Sequence, residues 1–153
     1  MSKSVSVDRD IAALPATVWA LVSDVTRMGE WSPETNRCSW LGDATGPAVG
    51  AEFRGTNSHR GRWWFTTCRI TRCEPGRSFA FDVSFGPIHI AEWEYEFEPA
   101  PTGCRVTETF RDKRALPLAL LGNAALGITD RAEHNRKTMV ETLSRLANAA
   151  EKS

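Results

Sequence analysis

Three connections in the middle of this chain are too short to hold a helix: Gly61, Pro75-Gly76 and Gly86-Pro87 each separate two runs of strand length. A parallel pair of strands needs a crossover of about a dozen residues or more, whereas an antiparallel pair closes through a tight turn. The runs near 62–74, 77–86 and 88–98 are therefore successive strands of an antiparallel meander. Similar punctuation at Gly46-Pro47, Gly50 and Pro99 to Gly103 adds strands near 36–41, 50–59 and 103–112. Val5, Val7 and Ile11 alternate with polar residues and predict one more strand near the start, with Arg9 interrupting its apolar side.

Helical periods flank this β-rich middle. Pro15 opens a short helix in which Val18, Leu21, Val22 and Val25 recur at helical spacing beside Trp19. Asp24 or Thr26 caps a second brief helix around Arg27 to Trp31, which Ser32-Pro33 ends. Beyond Thr129-Asp130 a helix is expected to about Ala150, with Ala132, Asn135, Met139, Leu143 and Leu146 on one stripe. Arg131, Lys137, Glu141 and Arg145 make its solvated face. The apolar segment 115–128, loosened by Pro117, Gly122 and Gly127, is either core at the helix start or a lid. At about 14 residues it is too short to span a bilayer. The whole reads as one α+β domain over 1–153: a curved antiparallel sheet of about seven strands wrapped around a long C-terminal helix, with two short helices between strands 1 and 2. A chain of this length buries roughly 70% of its unfolded surface, enough for one sizeable core.

Lys plus Arg equals Asp plus Glu at 19 each, so the net charge favours no nucleic acid and no anionic membrane. With no apolar run long enough for a signal peptide or a bilayer span, a cytoplasmic protein without stable membrane insertion is expected. Cys38, Cys68, Cys73 and Cys104 lack CxxC spacing and histidines at zinc-ligand intervals, which reads as free, mostly buried thiols. No nucleotide, phosphate or metal motif is present, so neither a cofactor nor a metal is expected.

Strand alternation says what the inner face carries. Glu92, Glu94, Glu96 and Glu98 claim the wet side of their strand, which sends His89, Ala91, Trp93, Tyr95 and Phe97 inward. The same parity turns in Phe79, Phe81, Val83 and Phe85, then Trp64, Thr66, Cys68 and Ile70, leaving Trp63 and Arg69 outside. Phe53 brings Asn57 and His59 to its face, and Val106 brings Glu108. Asn57, His59, His89, Tyr95 and Glu108 thus fall at inward positions of a domain whose core should be apolar. An unpaired buried polar group costs roughly 1–3 kcal/mol, so these groups pair with one another or border a wet cavity. A cavity of about several hundred Å³, aromatic with a few converging polar groups, is the usual make-up of a ligand site. The expected ligand contacts are Asn57, Trp64, Thr66, Cys68, Phe81, Phe85, His89, Trp93, Tyr95, Glu108, Asn135 and Met139.

The segment Ile11 to Pro33, IAALPATVWALVSDVTRMGEWSP, resembles the N-terminal signature of the SRPBCC superfamily, also called START-like or Bet v 1-like, in its polyketide cyclase/dehydrase and lipid transport branch. The likeness continues through GAEFRGTN, RWWFTTCRITRCEPG, AEWEYEFEP, GCRVTETF and TMVETLSRLA, in order and over essentially the whole chain. The resemblance implies the helix-grip fold and a deep hydrophobic cavity, used by different members for lipids, sterols, polyketides or hormones. Trp19, Trp31 and Pro33 match its most recognisable positions and read as packing. A fold shared by carriers, receptors and a few enzymes does not name the chemistry.

Three functions are consistent with these residues. The first is binding or carriage of a hydrophobic small molecule, a lipid, polyketide or polycyclic, without catalysis. The second is an aromatase/cyclase or dehydratase, with Tyr95, His89 or Glu108 as general acid or base. Members of that branch carry an inward Arg on the strand after the GRW-like hairpin, and here the inward series Trp64, Thr66, Cys68, Ile70 has none. The third is a toxin-like or regulatory module, with Trp63 and Phe65 beside Arg62 and Arg69 as a contact patch for a protein partner or for a homodimer mate.

Overall fold

The computed structural model describes residues 3–113 and 131–152. The strands are β1 (Lys3–Ile11), β2 (Thr35–Trp40), β3 (Glu52–His59), β4 (Arg62–Glu74), β5 (Ser78–Phe85), β6 (Ile88–Ala100) and β7 (Gly103–Asp112). They form one sheet in the order β1-β7-β6-β5-β4-β3-β2, every neighbouring pair antiparallel. β1 and β2 are its two edges, and the chain travels between them through α1 (Pro15–Ser23) and a 3-10 helix (Val25–Glu30). α2 (Arg131–Glu151) lies against β1, β7 and α1. This is the helix-grip arrangement. The segment 115–128, expected as core or lid, falls outside the described residues.

The register shifts in three strand pairs: at Thr35/Arg37 between β2 and β3, and at two β-bulges in the middle of the sheet. Between β4 and β5 the register passes from Ile70↔Phe81 to Arg72↔Ala80, leaving Thr71 without an opposite residue. Between β5 and β6 it passes from Val83↔Ala91 to Ser84↔His89, leaving Ile90 extra. Each bulge sharpens the local twist and reverses the side on which later residues lie. Strict alternation along Ile88–Ala100 therefore holds from Ala91 onward and fails before it.

The concave face carries the core: Phe53, Phe79, Ile70, Val106 and, from the helices, Val18, Leu143 and Leu146 are all essentially without exposure. On α2 the buried residues Asn135, Met139, Thr142, Leu143, Leu146, Ala147 and Ala150 recur at the three- and four-residue spacing of one helix face. Lys137, Glu141 and Arg145 are exposed, as expected. The far end of the helix is tied back, with the Ala12 amide donating to Glu151 Oε2 at 3.0 Å. Trp19 fastens α1 to the sheet by donating its indole N–H to the Ser78 carbonyl at 2.8 Å.

The convex face is polar and paired. Arg111 reaches both Glu92 (2.7 Å) and Glu94 (3.3 Å), and Arg72 meets Glu94 at 2.8 Å. Glu92 and Glu94 of the β6 row are thus answered by cations from β7 and β4, which offsets like-charge repulsion at that end of the row.

Gly103, in the turn between β6 and β7, has φ +140°, and a Cβ there would stand 2.7 Å from the backbone N and O of Ala13. Both the dihedral and the close approach of the β1–α1 connection require glycine. Gly103→Ala is expected to lower the unfolding free energy by about 2 kcal/mol or more. Urea titration followed by tryptophan fluorescence measures it, and an unchanged midpoint would show that the two turns do not press on each other.

Candidate functional site

Between the concave face and α2 lies a cavity of about 120 Å³. Its apolar wall includes Phe53, Phe81, Val83, Ala91, Phe110 and Met139. Of the expected ligand contacts, Asn57, Trp64, Thr66, Cys68, Phe81, Trp93, Tyr95, Glu108 and Met139 are brought together around it. The volume is below the several hundred Å³ expected, because the aromatic side chains fill much of the bend. Phe53 packs edge-on against Phe81 with centroids 5.2 Å apart, and Trp93 lies 4.8 Å from Phe110.

Three expected contacts lie elsewhere. His89 sits on the convex side, nearly half exposed, with Nε2 3.7 Å from Asp82 Oδ1. The cause is the bulge at Ile90, which turns Ile90 itself into the cavity wall in place of its neighbour. Phe85 keeps the inward parity but stands at the tip of the β5–β6 hairpin, 54% exposed and beyond the cavity. Asn135 is buried on α2, its Nδ2 without a hydrogen-bond partner among the described residues, and is not part of the lining. On β4 the inward series is as expected, and Arg69 is exposed on the other face. Trp63 and Phe65 are also outside, 63% and 47% exposed, their rings in edge contact.

The deepest polar feature is a cross-strand pair. Register places Tyr95 of β6 directly opposite Glu108 of β7 on the concave face. Both are buried, and the Tyr95 hydroxyl donates to Glu108 Oε2 at 2.5 Å. Burial pushes the Glu108 carboxyl up to about 8, an effect that the Tyr95 hydrogen bond offsets only in part. Burial likewise raises Tyr95 well above the usual phenol range, and the neighbouring Glu108 adds to it. Burial thereby favours the neutral form of both groups. Oε2 accepts from Tyr95, and Oε1 has no partner among the described residues. A carboxyl with one unpartnered oxygen thus belongs to a residue of the cavity lining.

A second polar group runs along the partly exposed side. Ser32, Thr35, Asn57 and Thr66 form a chain of hydrogen bonds of 3.1–3.3 Å. Next to it, Glu34 lines the cavity and accepts from His134 of α2, while His59 Nδ1 lies 3.7 Å from the same carboxylate oxygen. Glu34 and His134 escape a reading of strand faces because neither lies in a strand. The available signal was indirect: Glu34 directly follows the W-x-P motif, and His134 stands beside the inward Asn135.

Cys38, Cys68 and Cys104 are buried and Cys73 is half-buried. Burial pushes Cys38 up to about 12 and Cys68 higher still, so neither offers a thiolate.

The family model described as polyketide cyclase / dehydrase and lipid transport matches residues 2–151. Among solved structures, the Zhui aromatase/cyclase from Streptomyces sp. R1128 superposes with a TM-score of 0.76 at 19% identity, covering 99% of this chain and 95% of that one. The ginseng major latex-like protein 151 from Panax ginseng gives 0.74 at 10% identity, with 97% of each chain covered. The Polyketide_cyc-like protein Cgl2372 from Corynebacterium glutamicum is 30% identical, with a TM-score of 0.54 over 99% of this chain and 86% of that one. No curated protein matches. The first two likenesses are likenesses of fold, while the family match spans nearly every residue that builds the sheet, the helix and the cavity: the chain belongs to the polyketide cyclase/dehydrase and lipid transport family, within the SRPBCC superfamily.

Proposed function

We propose that this chain, acting as one ligand-binding domain over 1–153, holds a hydrophobic small molecule bearing a carbonyl or hydroxyl oxygen in the cavity beneath α2. The observation that carries this reading is that the buried Glu108 Oε1 has no hydrogen-bond partner among the described residues; protonated there, the carboxyl is an unanswered donor. A buried donor without an acceptor costs about 1–3 kcal/mol, and a guest oxygen placed on Oε1 recovers that cost. Apolar contact with Phe53, Phe81 and Phe110 supplies the rest of the affinity.

The volume bounds the guest. An apolar cavity of about 150 Å³ takes one benzene-sized molecule, so the 120 Å³ here accommodates a single small ring as it stands. A polycyclic or lipid guest requires side chains on the partly exposed side, such as Trp64 or Met28, to move.

The position of the Glu108 titration supports a second reading, an enzyme of the cyclase or dehydratase type. An acid whose pKa lies near the working pH both holds its proton and releases it, which is what general acid catalysis needs. Tyr95 would orient the carboxyl and His89, on the convex face, would take no part. With Arg69 outside, no arginine stands among the described lining residues, and this favours binding over turnover.

Titrating phenol-sized and larger aromatic ketones while following tryptophan emission, with Trp64 and Trp93 in the wall, tests the binding reading. Glu108→Met keeps the approximate shape and has no donor, and should weaken a ketone more than its hydrocarbon analogue, by about 1–3 kcal/mol or roughly 5- to 150-fold. Equal losses for both guests would sink the hydrogen-bond assignment, and no quenching by any apolar guest would sink the pocket. Single-turnover assays on poly-β-ketone chains, with Tyr95→Phe as control, separate catalysis from binding.

The raised carboxyl also sets a pH dependence. A folded-state value near 8, above the ordinary carboxylate range, means that the stability tied to the neutral acid is whole below about pH 4.5 and fades as pH rises through 8. The wild type should therefore lose more stability than Glu108→Gln between pH 6 and pH 9. Parallel urea titrations measure that difference, and identical losses would mean that Glu108 is already ionised at pH 6.

A further inference from the structure

The chain has three histidines, and two of them meet one carboxylate at the side of the cavity. Glu34, from the turn before β2, His59, the last residue of β3, and His134, in the first turn of α2, present one ligand atom each, all within 4.8 Å of one another. The side chains are no more than 19% exposed. The Ser58 amide donates to the Glu34 carbonyl at 2.7 Å, which holds Glu34 beside the end of β3. The two imidazole rings stand edge to face, 4.6 Å between centroids.

We propose that Glu34, His59 and His134 form a binding site for a divalent transition-metal ion of the zinc class. Imidazole and carboxylate donors suit borderline ions over Mg2+ or Ca2+, which take oxygen shells. Three protein ligands are the complement of an open zinc site, in which water or a guest oxygen takes the fourth position. Bonds of about 2.0–2.2 Å put tetrahedral donors about 3.3 Å apart, so the widest pair here closes by about 1.5 Å through side-chain rotation. On binding, the ion replaces the hydrogen bond between His134 Nε2 and Glu34 Oε2. Glu34 also lines the cavity, so the site borders the space where a guest would lie. The three residues are separated by 25 and 75 positions in the chain, so no local spacing announces the site.

Tag-free, chelator-stripped protein titrated with Zn2+ by calorimetry provides the test, with Co2+ as an absorbing probe that Zn2+ displaces. One ion per chain is expected, with Glu34→Gln, His59→Ala and His134→Ala each weakening it by at least about tenfold, and His89→Ala leaving it unchanged. In the wild type, Co2+ should shift or broaden the imidazole proton resonances of His59 and His134 and spare His89, a reading that needs no variant to fold. Absence of stoichiometric binding, equal affinity in the three variants, or perturbation of His89 instead would overturn the proposal and leave a hydrogen-bonded cluster. The quenching of tryptophan by apolar guests is measured without metal, so either conclusion stands or falls alone.

Discussion

One helix cannot cover seven strands. At about 4.8 Å between neighbours the sheet is about 29 Å wide from first strand to last, whereas a helix with its side chains is about 10–12 Å across. α2 lies over the β1–β7 side and α1, and the rest of the concave face must bend toward it or stay uncovered. The bulges at Thr71 and Ile90 provide the bend, and Phe53, Phe81, Trp93 and Phe110 fill part of the gap. The remaining space is the cavity. Its place follows from the mismatch between sheet and helix, and its size from how far aromatic side chains reach into it.

The polar residues in that space are not equivalent. Asn57 and Thr66 spend their hydrogen bonds on one another and on Thr35, so they cost the fold little and offer a guest little. Glu108 differs because Tyr95 satisfies only one of its two oxygens. Deep burial favours the neutral carboxyl, a form that can donate as well as accept. A carboxyl on the convex face, like Glu94 between Arg72 and Arg111, meets cations instead. Position on one side of the sheet or the other decides the chemistry of a glutamate here.

Much of the architecture was legible because short connections and alternating faces are local properties. Gly61, Pro75-Gly76 and Gly86-Pro87 impose hairpins whatever the rest of the chain does, and the helix stripe through Asn135, Met139, Leu143 and Leu146 follows from period alone. The site was legible to the extent that parity survived. It failed at His89 because a bulge is a property of a strand pair and leaves no mark in the alternation of one strand. It failed differently at Phe85, where parity was right but the strand had already passed the cavity's end. Asn135 satisfied the helix period, yet period says which face a residue takes and not how far along that face the empty space extends.

The cluster at Glu34, His59 and His134 illustrates the remaining gap between sequence and site. Its members come from a turn, a strand end and a helix start, three places where chain direction changes and no periodic rule assigns a face. β2 and β3 form one edge of the sheet, and the first turn of α2 reaches the end of β3 and the turn before β2 through His134. A residue at such a junction meets partners from distant segments, whereas one in mid-strand mostly meets its cross-strand neighbours. Here the strand middles give the cavity its apolar walls and the fixed pair Tyr95–Glu108. The other polar convergence lies at the edge of the sheet, where a turn, a strand end and a helix start meet.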